Sequence, residues 1–240
     1  MDKNVRCELR INGCGSSKGG IFNTVKINGA GKIIGNVICR VFRINGSGII
    51  NGSLDTEDGK INGSGIVEGG IKAHEFIING SGEIKGSIKG ENVIISGSVE
   101  IAENLDVQNV KIEGSAKIGH DCNAEIFYSS GSFEVQGLLN ADDIKIRLHD
   151  LKSQVTEIGG GKISVAIEAS AGLKALKNTV NPVLESEVIE GDEIVLENTI
   201  AKEVRGTNVT VGRGCEIDLV EYKGIFRKTG DAKVEEERKV

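Results

Sequence analysis

A glycine returns every 17 positions at Gly29, Gly46, Gly63, Gly80, Gly97, Gly114 and Gly131, and an Ile-Asn pair precedes the first four. An earlier copy, Ile11-Asn12-Gly13, stands 16 residues ahead of the series. Self-similarity at one short period is the mark of a solenoid, in which each unit buries its apolar face only against its neighbours. Apolar columns recur inside the period. Two positions before the glycine stand Ile27, Ile44, Ile61, Ile78, Ile95 and Ile112, and the register extends to Ile146 and Ile163. Four after it come Ile33, Ile50, Val67, Ile84, Ile101, Ile118 and Val135. Eight after it come Val37, Leu54, Ile71, Ile88, Leu105, Cys122 and Leu139. A fourth column holds Phe42, Phe76, Val93 and Val110, with Gly59 as a gap.

Lys, Glu, Asn, Ser and Gly lie between these columns, giving period-two alternation broken by turns and dominated by β-branched residues. The pattern predicts an all-β chain, a parallel β-helix with about 17 residues and three short strands per coil. The general rule for parallel crossovers makes it right-handed. Three glycine columns, those of Gly29, Gly31 and Gly35, are expected at corners. The Asn28, Asn45, Asn62, Asn79 column suits a ladder of side-chain amides or simple turn formation.

Composition agrees. Glycine fills 34 of 240 positions, aromatics are 3%, and tryptophan is absent. Such a chain lacks the aromatic core of a conventional enzyme, is too apolar for disorder, and lacks the glycine spacing of collagen. The expected organisation is a short arm at 1–8, 17-residue coils over 9–165, an insertion or short helix at 166–185, further coils at 186–222, and a charged tail at 223–240.

The net charge of −6 is unevenly spread. Residues 1–50 hold eight bases against Asp2 and Glu8, whereas 185–203 hold seven acids and one base. The overall balance gives no support to nucleic-acid binding. Five cysteines without a CxxC argue against a disulfide framework or a zinc site and fit a reducing cytoplasm. No signal-peptide core and no run near ~20 apolar residues is present, so a soluble protein is expected.

No catalytic constellation emerges, and neither a cofactor nor a metal is expected. His74, His120 and His149 occupy different registers of the repeat. Gly159-Gly160-Gly161-Lys162 resembles part of a phosphate loop but lacks its spacing and its Ser/Thr. A solenoid does have ends, whose unpaired backbone groups invite another strand. The candidate end contacts are Leu9, Ile11 and Phe22 at one end, and Leu219, Tyr222, Ile225 and Phe226 at the other. Apolar residues at outward positions, Ile49 with Ile66 and Ile77 with Ile94, suggest lateral contacts.

The glycine-punctuated coils, the Ile-Asn-Gly-Ser-Gly runs and the lack of catalytic residues resemble the bactofilins, bacterial polymer-forming cytoskeletal proteins. The resemblance is best over 9–148, and the segments around Ile189-Glu190-Gly191-Asp192 and Val220-Glu221-Tyr222 are similar to those of longer Gram-positive members. It implies a protein that assembles with itself, without nucleotide, into filaments that scaffold cell-shape or envelope proteins. It places the protein in the cytoplasm, or at the inner face of the membrane for members carrying a targeting segment. The chain departs from typical members in having one proline and no recognisable targeting segment. Two other readings stand beside this one: a non-polymerising scaffold for protein partners, and a trimeric acyltransferase-like enzyme with His120 between subunits.

Overall fold

Residues that alternate aliphatic and polar side chains, with glycine every few positions, can form only short strands that must find partners in neighbouring coils. The computed structural model describes residues 7–149, 151–167 and 182–240, none of them helical. By packing the chain divides into two units, Met1–Asn109 with Gly114–Gly119, and Val110–Glu113 with His120–Val240.

The first unit contains β1 (Glu8–Ile11), β2 (Cys14–Ile27), β3 (Ala30–Ile44), β4 (Ser47–Asn51), β5 (Leu54–Ile61), β6 (Ser64–Val67), β7 (Ile71–Ile78), β8 (Ser81–Ile84), β9 (Ile88–Ile95) and β10 (Ser98–Ile101). β11 (Leu105–Ile112) contributes residues to both units, and β12 (Ser115–Ile118) belongs to the first. Every ladder is parallel and steps by one coil, so Ile44 faces Ile61, Ile61 faces Ile78 and Ile78 faces Ile95. The expected β-solenoid is therefore the fold. Each coil has three ladder segments, because the longer strand breaks at a corner. Thr56 pairs with Ala73 and Asp58 with Glu75, while Glu57 and His74 between them stay out of the ladder.

The four aliphatic columns form the core. Ile27, Ile33, Phe42, Ile44, Ile50, Ile61, Phe76 and Ile78 are fully buried. Gly59 is no gap, because the Phe76 ring fills its space and would collide with any added Cβ. A further inward column, Cys39, Thr56 and Ala73, escapes the sequence pattern because it is chemically mixed.

The glycines do different jobs. At Gly46 a Cβ would collide with the carbonyl oxygen of Gly29 one coil away, so the corner column requires glycine for close approach. Gly35 requires it for conformation, with φ at +103°. The Gly31, Gly48, Gly65 column is not a corner, contrary to expectation. These residues lie inside strands and face the core, where a Cβ on Gly48 would sit 2.7 Å from Ile44 Cδ1. The asparagine column is an amide ladder. Asn28, Asn45, Asn62 and Asn79 each donate from Nδ2 to Oδ1 of the asparagine one coil earlier, Asn12 accepting first, at 2.7–3.0 Å.

The second unit contains β13 (Cys122–Ser129), β14 (Ser132–Leu148), β15 (Ser153–Ile167), β16 (Leu184–Leu196), β17 (Thr199–Val211), β18 (Glu216–Tyr222), β19 (Phe226–Lys228) and β20 (Lys233–Lys239), again with parallel ladders. Its register is less regular. Val135 faces Val155, and after an irregularity Ile144 faces Ile163 while Ile146 faces Val165. Ile163 has thus slipped by two positions from the column expected of it, because the β14–β15 coil is longer than 17 residues. The proposed helix at 169–177 lies outside the described residues. The segment 223–240 is not a loose tail: β19 pairs with β17, and β20 with β18.

Candidate functional site

With no catalytic cluster to follow, the candidate site is the outward and edge surface of the coils. The first described coil runs from Glu8 to Phe22. Among the described residues β1 has one ladder partner, β2, with Leu9 facing Val25, Arg10 facing Lys26 and Ile11 facing Ile27. The pairing puts Leu9 and Ile11 in core columns. Phe22 takes the core column of Cys39, while Gly15 and Ser17 take those of Gly31 and Ile33. Leu9 and Phe22 stay half-buried for want of a further coil. Side chains alternate along a strand, so Glu8 and Arg10 share the outward side, and Arg10 Nε donates to Glu8 Oε2 at 2.9 Å.

The opposite edge differs from expectation. Leu219 and Tyr222 do not form an end layer, because β20 covers them: Leu219 faces Glu236 and Tyr222 faces Lys239. On this last coil Lys228 follows Val211, Glu237 follows Val220 and Lys239 follows Tyr222 in columns that are apolar one coil earlier. Phe226 stacks on Tyr222 with centroids 5.4 Å apart, and Lys239 Nζ lies 5.9 Å from the Tyr222 ring centre. Lys233 pairs with Glu216 at 2.6 Å and Arg238 with Glu221 at 2.9 Å. Ile225 is 52% exposed beside this layer. A coil with charged groups in core positions is how a solenoid keeps a terminal face in water.

The lateral candidates stack in register. Ile49 faces Ile66, and Ile77 faces Ile94, all outward and half-buried. Lys32 and Glu83 bracket the first pair. A third pair escaped the sequence reading. Ile21 and Ile38 face each other at 68% and 48% exposure, in a column that continues as Asp55, Lys72 and Lys89. Their 17-residue separation is the signal that could have found them.

In the second unit Gly159, Gly160 and Gly161 lie within β15 and help line a groove of about 720 Å³ together with Gly191 and Gly206. Asp142, Glu157, Glu190, Asp192 and Glu221 rim it, so it is no phosphate cradle. Arg205 is bound to the rim, with Glu203 at 2.7 Å, Glu221 at 3.7 Å and Glu190 at 4.0 Å. The arginine is held above its ordinary pKa by the hydrogen bond from Glu203 and the surrounding carboxylates. His74 pairs with Glu91 at 2.9 Å, while His120 and His149 are exposed on the second unit. Among the described residues no group of three or more His, Cys, Asp or Glu could hold a metal ion. No helix of these residues is long and apolar enough to cross a membrane.

The sequence is similar to the uncharacterized protein YhbE of Bacillus subtilis (strain 168), 54% identical over 233 residues that span 97% of this chain and 98% of YhbE. It is also similar to the uncharacterized protein YhbF of the same organism, 44% identical over 88 residues, or 36% of this chain and 35% of YhbF. No family pattern matches the sequence. No solved structure matches it.

Proposed function

The chain belongs to the family of the Bacillus subtilis protein YhbE, and we propose that it is a structural protein that self-assembles, without nucleotide, into a cytoplasmic scaffold of the kind the resemblance to bactofilins implies. The observation that carries this reading is the Glu8–Phe22 coil. It has ladder partners on one side among the described residues and puts Leu9 and Phe22, half-buried, into core columns. Backbone groups on such an edge, together with apolar side chains, are satisfied by another strand. Assembly through this end, reinforced by the isoleucine pairs on the sides, needs no nucleotide and no catalytic histidine. Envelope or morphogenesis proteins are the clients such a scaffold would hold. Negative-stain microscopy of the purified protein without nucleotide is the test. Extended assemblies that grow with concentration are expected. Discrete particles of one chain at every concentration would overturn the reading.

One observation favours the second reading, a scaffold that binds protein partners without polymerising. The acid-rimmed groove of the second unit fits a basic extended segment. A stable one-chain particle that binds a lysine-rich peptide, and loses it on Glu190→Lys, would favour this reading over the first.

A further inference from the structure

The two described edges are chemically unlike, and this decides which surface a second copy meets. We infer that two copies join through their first coils about a two-fold axis, with β1 antiparallel to β1 of the other copy and Leu9 on the axis. The inference rests on the self-assembly reading above and adds the contact and its symmetry.

Charge pattern is the first argument. β1 reads Glu8-Leu9-Arg10-Ile11, with Glu8 and Arg10 on one side. An antiparallel partner centred on Leu9 sets each Glu8 opposite the other copy's Arg10, so the strand is complementary to itself. The pair that now closes within one strand at 2.7 Å can exchange across the contact without leaving a charge unmatched.

Size is the second argument. In a triangular coil, a two-fold through the β1 face brings the Cys14–Lys18 segment of one copy against the Gly20–Phe22 segment of the other. The first segment puts only Gly15 and Ser17 into core columns, and the second puts Phe22 there. Each Phe22 ring then covers a shallow part of the other copy, and the large group meets the small ones.

The head-to-tail alternative fails on the same terms. It would set Leu9, Ile11 and Phe22 against a coil whose core columns carry Lys228, Glu237 and Lys239. Burying those charges against aliphatic groups is unfavourable. The outward lysines of the first two coils repel one another across a two-fold, but they sit in solvent, where salt screens them over roughly 8–10 Å.

The test uses the full chain and sedimentation velocity, with far-UV circular dichroism to confirm that each variant stays folded. Glu8→Arg and Arg10→Glu each set like charges across the axis, and each is expected to weaken self-association at least tenfold. Mixed one to one, the two variants restore opposite charges at both positions, and association is expected to return. Persistence of wild-type assembly in both single variants, or no recovery in the mixture, would overturn the two-fold contact while leaving self-assembly standing. A wild-type chain that stays monomeric at every concentration would overturn both.

Discussion

At the scale of single residues, glycines of equal frequency carry different weights. Gly46→Ala forces a methyl onto the Gly29 carbonyl, and backbone in a packed ladder cannot yield. Gly48→Ala meets the tip of Ile44 at 2.7 Å, and a side-chain end can rotate away. Overpacking costs roughly 1–3 kcal/mol. Gly46→Ala is expected at or above the top of that range and Gly48→Ala near its foot, an order that urea denaturation of the two variants checks. The thiols give a second prediction. Burial pushes the Cys39 and Cys215 thiols above their ordinary 9.0, against hydrogen bonds from Thr56 and Thr199 that pull the other way. An unfolded chain therefore loses these protons at a lower pH than the folded one, so stability falls as pH rises past 9.0. At neutral pH a maleimide should label exposed Cys7 and Cys14, and reach Cys39, Cys122 and Cys215 only after denaturation. Mass spectrometry of the labelled peptides would refute this if a buried cysteine reacted at the exposed rate.

Among the elements, Phe42, Gly59 and Phe76 form a column in which one ring takes the space of a missing side chain. Phe76→Ala should cost roughly 3–5 kcal/mol. Adding Gly59→Val to Phe76→Ala should recover part of that loss, although Gly59→Val alone destabilises. A double-mutant cycle that shows simple additivity would sink this account. The same column shows what could be read beforehand. Where core positions are aliphatic and outward ones polar, as in β4 to β10, the sequence discloses fold, register and burial together. Legibility fails where either half of that rule fails. Ile21 and Ile38 are aliphatic but outward, so alternation alone gave them no distinct meaning. Glu237 and Lys239 are charged in core columns, so β20 looked like a solvated tail. Ile163 kept the spacing of the repeat and lost its column, because a longer coil between β14 and β15 moved the ladder without changing residue type. Gly48 resembled a corner since sequence cannot say whether a glycine turns the chain or makes room for a neighbour.

For the whole molecule, the unequal edges limit what end contacts alone can build. A two-fold through the first coils uses the apolar edge of both copies, and what each still presents at its other edge is a coil of Lys228, Glu237 and Lys239. Growth through ends therefore stops at two copies, and anything larger must recruit the sides. The stacked pairs Ile49–Ile66 and Ile77–Ile94 are the surfaces with the chemistry for it, since apolar groups that face water gain by meeting their like. Lysine replaces isoleucine in the same outward column at Lys32, so the fold tolerates the exchange. Ile49→Lys with Ile66→Lys should then leave folding and the paired state intact while abolishing larger assemblies. Glu8→Arg should remove the pairs and leave side contacts to act between single chains. Light scattering separates these outcomes by mass. If the double isoleucine variant still forms assemblies of wild-type size, the sides are not what extends the array, and the charged last coil must make contacts of its own.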